Sequence, residues 1–415
     1  MSMKKQATDI CVIGGGAAGM LAAGIAAGRG YKVVLFEKNP YTGKKLRITG
    51  KGRCNLTNNS SVRDVLDNIP TNSRFMYSSL YGFTPQDVMD FFEGLGVRLK
   101  TERGNRVFPE SDKAEDVVNA LRGFLKKNGV VQRFEQVTDI LTEDGRVVGV
   151  KSVNGETPCR TVFLCTGGKS YPMTGSTGDG YRMAARLGHK VTEIKPSLVP
   201  LVCDQSFCRD MTGLSLKNVT LTVYDQKGKK IYSDLGEMMF THFGITGPLV
   251  LSASSHIRDY SKKHYVTIDM KPALDMKKLD ARLLRDFEKY SNKAIINALG
   301  ELLPKSMIPV MIRLAEIPED TKVHSITKAQ RMRLLENIKA MRIDITGPRP
   351  IDEAIITSGG ISVKEVDPTT MESKLVKGLY FAGEILDVDA YTGGFNLQIA
   401  WSTAYAAANS EVLDE

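Results

Sequence analysis

None of the six cysteines, at 11, 54, 159, 165, 203 and 208, stands in a C-x-x-C pair. That excludes a dithiol redox motif and a zinc ribbon. Cys11 and Cys165 lie inside apolar runs and read as small core residues. There is no internal repeat and no low-complexity tract. No targeting segment is visible, which together with the unpatterned cysteines points to a reducing cytoplasm. The uncharged stretch Ile10 to Gly28 holds six glycines in nineteen residues, too many for a membrane span or a signal peptide. The net charge of +9 on 415 residues permits an anionic ligand or partner without demanding one. The hydrophobic and charged shares are those of a globular protein, and this length predicts two or three domains.

What is present is concentrated in residues 9–37. Asp9 to Ile13 reads as a buried strand, and Gly14, Gly16 and Gly19 follow in G-x-G-x-x-G spacing. A small-residue helix from Ala17 to about Gly28 comes next, then a strand from Lys32 to Phe36 that ends at Glu37. Gly14 lets the strand turn, Gly16 lets backbone approach a pyrophosphate, and Gly19 lets the helix pack close to the sheet. The helix N-terminus aims unpaired N–H groups at phosphate. Glu37 stands where a carboxylate accepts hydrogen bonds from an adenosine ribose. A lone glycine motif is weak evidence. Here strand, glycines, helix, strand and acid are all in register.

Residues 38–59 are basic, glycine-rich and without apolar periodicity, so they read as an irregular segment pinned by something other than a core. Helices are predicted over 84–95 and 113–128, each with an acidic first turn. Arg98 to Phe108 reads as a hairpin, and Asp144-Gly145 as the turn of another. Thr161 to Cys165 is a third buried strand ending in Thr166-Gly167-Gly168, and Gly178-Asp179-Gly180 opens a helix. Two glycine-rich strand ends thus face one crevice, where open α/β sheets bind ligands. From about Pro196 the pattern becomes antiparallel strands, interrupted at 241–248, and 276–341 reads mostly as helices rich in Leu, Lys and Arg. Residues 195–345 therefore form an insertion, β part first, with no nucleotide fingerprint. Strands return at Ile351, and Gly393-Gly394 opens an apolar C-terminal helix, a second N-terminus suited to negative charge. The first and last segments must pack together, because neither completes a sheet alone.

The GGGAAG, FLCTGG and GLYFAGE…TGGFN segments resemble glutathione-reductase-like FAD proteins of the two-dinucleotide-binding class. GKKLRITGKGRCNLTN, SYPMTGSTGDGY, FTHFGITGP and GEILDVDAYTGGFNLQ resemble a narrower family, the bacterial three-domain YhiN/BaiN-like flavoproteins, which are NAD(P)/FAD-dependent oxidoreductases and include aminoacetone-oxidase-like members. The likeness runs over nearly the whole chain. It implies an α/β, Rossmann-like, discontinuous FAD domain (1–194 and 346–415) with an inserted β-barrel-like domain (195–275) and an inserted helical domain (276–345). It implies FAD on Gly14, Gly16, Ala18 and Gly19, with Glu37 on the ribose. Lys38, Lys44, Leu46, Gly52, Arg53, Cys54 and Asn55 would line the extended cofactor, with Val137 near the adenine. Thr166, Gly167, Gly168 and Asp179 would border the adenosine half, and Gly383 and Glu384 the pyrophosphate and ribityl chain. Gly394, Phe395, Asn396 and Leu397 would offer N–H groups to the edge of the ring where reduction builds negative charge.

Without a second G-x-G-x-x-G, NAD(P)H has no dedicated site and would dock only transiently as electron donor. The substrate Arg/His constellation of the fumarate-reductase class is missing too, so that chemistry is not implied. His242, Tyr171 and Tyr391 are the candidate acid–base residues. A hydrogen-bonded loop histidine is an equally ordinary use of His242, and packing on the ring is the commoner use of a tyrosine in such a loop. Cys54 is expected near the cofactor, with no sign of a depressed pKa that would make it a nucleophile. The expected activity is hydride transfer between FAD and a small organic substrate, either reduction of a conjugated enone or oxidation of a small amine or amino ketone. A small molecule is the expected partner, with neither nucleic acid nor membrane. The alternatives are a non-catalytic flavin sensor and an RNA-associated flavoprotein that uses the basic helical insertion as a platform.

Overall fold

The computed structural model describes residues 8–257 and 259–410. Residues 1–7 and 411–415, which the expected FAD domain includes, lie outside the described part. The chain forms two compact units. One runs to Ser197 and resumes at Ala354; the other is Leu198–Glu353.

The discontinuous unit is built on a five-stranded parallel sheet. Its strand order is Leu379–Phe381, Thr161–Leu164, Ile10–Ile13, Val33–Phe36 and Val131–Arg133. The three inner strands and the edge strand Leu379–Phe381 are almost wholly apolar and buried at every position, as expected where both sheet faces are covered. Leu379–Phe381 from the end of the chain pairs with Thr161–Leu164, so the last segment completes the sheet begun by the first. Helix Ala17–Gly28 is nearly all Ala and Gly, which lets other elements come close. A Cβ at Gly24 would strike the Phe124 ring of helix Ala114–Lys127 at 2.3 Å. Ten of the fourteen residues of helix Phe395–Ala408 are buried, so its polar groups need internal partners. They have them: Gln398 Nε2 and Ser402 Oγ donate to the Phe83 carbonyl, and the Trp401 indole donates to the Leu56 carbonyl at 2.9 Å.

Outside the sheet, Leu99–Glu102 pairs with Arg106–Pro109, the expected hairpin, and Thr57–Asn58 joins them as a third strand. Val137–Glu143 and Arg146–Ser152 turn at Asp144-Gly145, both with positive φ. The segment 38–59 is partly ordered by local turns. Leu46–Gly52 coils as short 3₁₀ turns, and Thr57–Asn58 is strand.

The inserted unit contains a closed six-stranded antiparallel barrel. Around it run Leu201–Cys203, Gly244–Thr246, Lys230–Thr241, Ser215–Asp225, His264–Asp269 and Met341–Pro348, the last pairing back to the first. Closure removes the exposed strand edges. The residues 241–248, read from sequence as an interruption, supply the short strand Gly244–Thr246, whose three residues are too few to show alternation. Leu221, Val223, Phe240, Ile245, Val266, Ile268 and Ile343 fill the interior. Helices Met276–Lys289, Ile308–Leu314 and Lys328–Ala340 follow the fifth strand. Asp275 caps the first of them and Thr327 with Gln330 forms a capping box on the third.

Candidate nucleotide-binding site

The site begins where strand Ile10–Ile13 meets helix Ala17–Gly28. Gly14 has φ +105°, and a Cβ there would lie 2.5 Å from the Cys165 carbonyl oxygen. A Cβ on Gly19 would lie 1.8 Å from the Gly14 carbonyl oxygen. Both positions are closed by backbone. Gly16 differs: it is the N-cap of the helix, and a Cβ there meets nothing within 4 Å. The helix therefore starts beneath an open cradle, flanked on either side by glycines that packing requires.

Glu37 is tied into this turn. Its Oε2 accepts from Gly15 N at 2.8 Å, and its Oε1 accepts from Asn39 N at 2.8 Å and Asn39 Nδ2 at 2.7 Å. Gly43 N donates to the Gly15 carbonyl, and Lys44 Nζ reaches Asn39 Oδ1 at 3.4 Å. The basic segment is thereby folded back on the first glycine loop. Lys38 spans to the middle segment, pairing with Asp179 at 2.5 Å and Thr177 at 2.6 Å. Burial pushes Asp179 up, but Lys38, Thr177 and Arg182 outweigh it and hold the carboxyl below its usual range. Thr166 Oγ1 is buried without a hydrogen-bond partner, and Gly180 is open enough only because it lacks a Cβ, which would fall 2.0 Å from that oxygen. Gly167 has φ +70°, and Gly168 is hemmed by Thr357 and Glu384.

The C-terminal segment closes on the same turn. Gly383 sits so near Ala18 that a Cβ would lie 3.0 Å from the Ala18 Cβ. Glu384 accepts from Lys45 Nζ at 2.6 Å, Ser170 Oγ at 3.0 Å and Thr357 N at 2.9 Å. Gly394 N donates to Asn55 Oδ1 at 2.9 Å, and Asn55 Nδ2 donates to the Thr57 carbonyl at 3.1 Å. That N–H is thus engaged within the protein. The Asn396 side chain is likewise engaged, bridging Ala390 N and O at 2.9 and 2.7 Å. Phe395 is buried and Leu397 half-buried on the first turn of the last helix.

The remaining sequence candidates are dispersed. Leu46 is buried and Gly52 exposed. Arg53 is paired with Glu102 and Asp112 and stacked over Phe108 at 4.1 Å. Cys54 is fully buried with φ +60°, and burial pushes its thiol up to about 12. Val137 is buried at the start of its strand. Tyr171 holds φ +52°, a strained conformation for a bulky side chain, and lies half-buried with Lys45 Nζ 6.0 Å from its ring centre. Burial raises its phenol. Tyr391 N donates to the Asn68 carbonyl. His242 belongs to the inserted unit, exposed in the turn Thr241–Gly244, edge-on to Phe243 at 5.0 Å.

Several contributors carry no sequence signal, because their partners are far along the chain. Ser170 and Thr357 surround Glu384, together with Lys45 from the basic segment 38–59. Asp389, 2% exposed, is held by Ser197 Oγ at 3.0 Å and Ser358 Oγ at 3.1 Å. Burial raises its carboxyl, with hydroxyl donors, Thr71 among them, opposing and Asp387 adding to the rise. Among the described residues no group of three or more His, Cys, Asp or Glu could hold a metal, and no helix is long and apolar enough to cross a membrane.

A parallel sheet with an open glycine cradle at its first crossover, interrupted by a closed barrel, defines a Rossmann-type nucleotide-binding protein. The model of the HI0933-like protein Rossmann domain matches residues 8–410, and the chain belongs to that family. It is 31% identical to the 3-dehydro-bile acid delta(4,6)-reductase of Clostridium scindens, over 97% of this chain and 98% of that one. It is 32% identical to the ribosomal RNA dihydrouridine synthase of Haemophilus influenzae, over 98% of both. Among solved structures, the 3-ketosteroid delta1-dehydrogenase of Sterolibacterium denitrificans matches with a TM-score of 0.52 at 14% identity, covering 99% of this chain and all of that one, which shows a shared fold.

Proposed function

We propose that this protein is an FAD-dependent oxidoreductase that reduces a carbon–carbon double bond conjugated to a carbonyl. Two observations fit FAD to the site: the open cradle at Gly16 on the N-terminus of a twelve-residue helix, and the orphaned buried hydroxyl of Thr166 beside it. Gly14, Gly16, Ala18 and Gly19 would hold the pyrophosphate. Glu37 and Asn39 would hold the ribose, and the turn Gly393–Leu397 the ring. When bound, FAD supplies the hydride, drawn in turn from NADH or NADPH docked transiently.

The observation that carries the reaction is the end-to-end match to relatives whose names describe one bond change. In a 3-oxo steroid with unsaturation at carbons 4 and 6, and in uridine, a double bond conjugated to a carbonyl is lost. Each reduction adds a hydride at the far carbon of the conjugated double bond, β to the carbonyl in uracil and in a 4-ene and δ in a 6-ene, and a proton at the neighbouring carbon nearer the carbonyl. The protein must supply that proton. The raised phenol of Tyr171 keeps its proton at neutral pH, as a donor requires, and makes it our first candidate. Tyr391 and His242 are the others.

The test is anaerobic mixing with NADH and NADPH, followed at the flavin absorbance near ~450 nm, then addition of a conjugated enone. Bleaching by the nicotinamide and recovery on the enone are expected, with Tyr171→Phe slowing the recovery alone. Peroxide release from a small amine in air, with no bleaching by NAD(P)H, would replace this reading by amine oxidation. Bound flavin with no turnover would replace it by a sensor.

A second reading concerns the carrier of the double bond: a uracil within RNA in place of a free small molecule. The observation that favours it is a cationic recess on the helical part of the inserted unit.

A further inference from the structure

Lys278, Arg282 and Arg285 stand at i, i+4 and i+7 on helix Met276–Lys289, so they share one face. Seven residues at a rise of 1.5 Å place the first and last about 10 Å apart along the axis. With Leu274 and Ala281 they line an open recess of about 320 Å³, which thus has an apolar floor and a cationic rim. Lys271, half-buried, is close enough to Arg282 to feel its charge.

Not every cation around the recess has an acidic partner. Asp275 is the N-cap and reaches Lys278 only at 3.8 Å. Asp286 is spent on Arg282, and Glu301 is shared between Arg282 and Lys289. Asp280 is taken by Arg331, and Asp269 by Lys339. Arg285 is exposed, and among the described residues its guanidinium has neither a hydrogen bond nor an ion pair. The Lys271 ammonium is equally without an acidic partner. Burial lowers its pKa, and the neighbouring Arg282 lowers it further. Arg282 is itself held by Asp286 and Glu301, so the cations left for an incoming anion to pair with are the Arg285 guanidinium and the Lys271 ammonium. Cations spread along about 10 Å of helix suit a chain of phosphates better than one small anion. The apolar floor suits the sugar and base between them.

We infer that this face of helix Met276–Lys289, with Arg285 as its unpaired cation, Lys278 held only at 3.8 Å by Asp275, and Lys271 and Arg282 behind them, is a docking surface for the phosphodiester backbone of single-stranded RNA. The inference rests on the reading that the reducible ring is a uracil carried on RNA. Arginine and lysine on phosphate give sequence-independent, salt-dependent binding, so the surface holds the strand without choosing the base.

The test is fluorescence anisotropy of labelled oligouridylate with the flavin-loaded full chain, titrated at several salt concentrations. Each lost phosphate contact on a single strand lowers the slope of log K against log salt by about 0.7. The double variant Lys278→Ala/Arg285→Ala is therefore expected to flatten the slope by about 1.4 and to weaken binding at least tenfold at low salt. Lys305→Ala, an exposed cation on a different turn of the same unit, is expected to leave the slope unchanged. Equal slopes for the double variant and the wild type would overturn the inference. So would wild-type protein that ignores oligouridylate and binds only phosphatidylserine vesicles. NAD(P)H bleaching and recovery on a small enone are measured on the same samples. Turnover without RNA binding overturns the docking surface and leaves the reductase standing. RNA binding that depends on Lys278 and Arg285, with no turnover on any conjugated carbonyl, does the reverse.

Discussion

Three glycines in one fingerprint should fail in two different ways. At Gly16 a side chain enters open space, because no atom lies within 4 Å of its Cβ position. Replacing a glycine N-cap by Val loses a few tenths to about 1 kcal/mol of cap preference. The reduced entropy of the unfolded chain returns about 0.4–1 kcal/mol. The two nearly cancel, so the Gly16→Val protein folds with its intrinsic stability within about 1 kcal/mol of wild type. What it loses is the cradle. On the proposed FAD reading, the added carbons would occupy the space where backbone N–H groups meet pyrophosphate, and the protein is expected to purify colourless. It also loses the stabilisation that bound flavin confers, about 2.7 kcal/mol at a hundredfold excess over Kd.

Gly19→Ala is the contrast. Its Cβ at 1.8 Å from the Gly14 carbonyl oxygen meets backbone that has nowhere to go. Overpacking of this kind costs about 1–3 kcal/mol. Gly14→Ala adds the strain of φ +105° to a 2.5 Å approach to Cys165, for a total of about 2–5 kcal/mol. Against a typical stability of about 5–15 kcal/mol these are large losses. The assay pairs thermal melts followed by circular dichroism with flavin content measured after denaturation. A Gly16→Val protein that stays yellow, or that melts as low as Gly19→Ala, refutes the reasoning.

Two further outcomes follow from buried titratable groups. An acid whose folded pKa is raised favours the folded state at low pH, and loses that advantage as pH climbs from about 3.9, its unfolded value, through the raised one. Asp389 is such an acid, so at neutral pH it carries the full cost of its buried charge. Asp389→Asn should melt above wild type at neutral pH, with the gap closing as pH falls to about 4; a gap that widens toward acid would show the sign to be wrong. Cys54, pushed up to about 12 by burial, is thiolate in only about one molecule in 10⁴ at pH 8. Iodoacetamide should leave it unmodified until urea unfolds the protein, and rapid labelling in the native state, read by mass spectrometry, would contradict the burial.

The sequence by itself determined the first crossover. Strand, Gly14, Gly16, Gly19, helix, strand and Glu37 are contiguous, and each element is specified by local pattern and backbone freedom. It also determined the insertion, because a change from strand–helix alternation to antiparallel texture is a composition signal. The short strand Gly244–Thr246 was not legible, since three residues cannot display a period of two and only its barrel neighbours make it a strand.

Tertiary structure decided which candidates meet. Arg53 reads as a cofactor ligand in a basic loop, and the fold brings Glu102 of the hairpin and Asp112 beyond it, 49 and 59 residues away, onto its guanidinium. Gly394 offers an N–H in the sequence, and Asn55, brought against it by the fold, accepts it. Lys45, Ser170, Thr357 and Glu384 form one network from four segments. Asp389 is buried only because Ser197 and Ser358 arrive from strands on either side of the insertion. Backbone preferences act between near neighbours and are written locally. The pairing and burial of charges depend on which distant segments the sheet brings together, and only the folded chain specifies that.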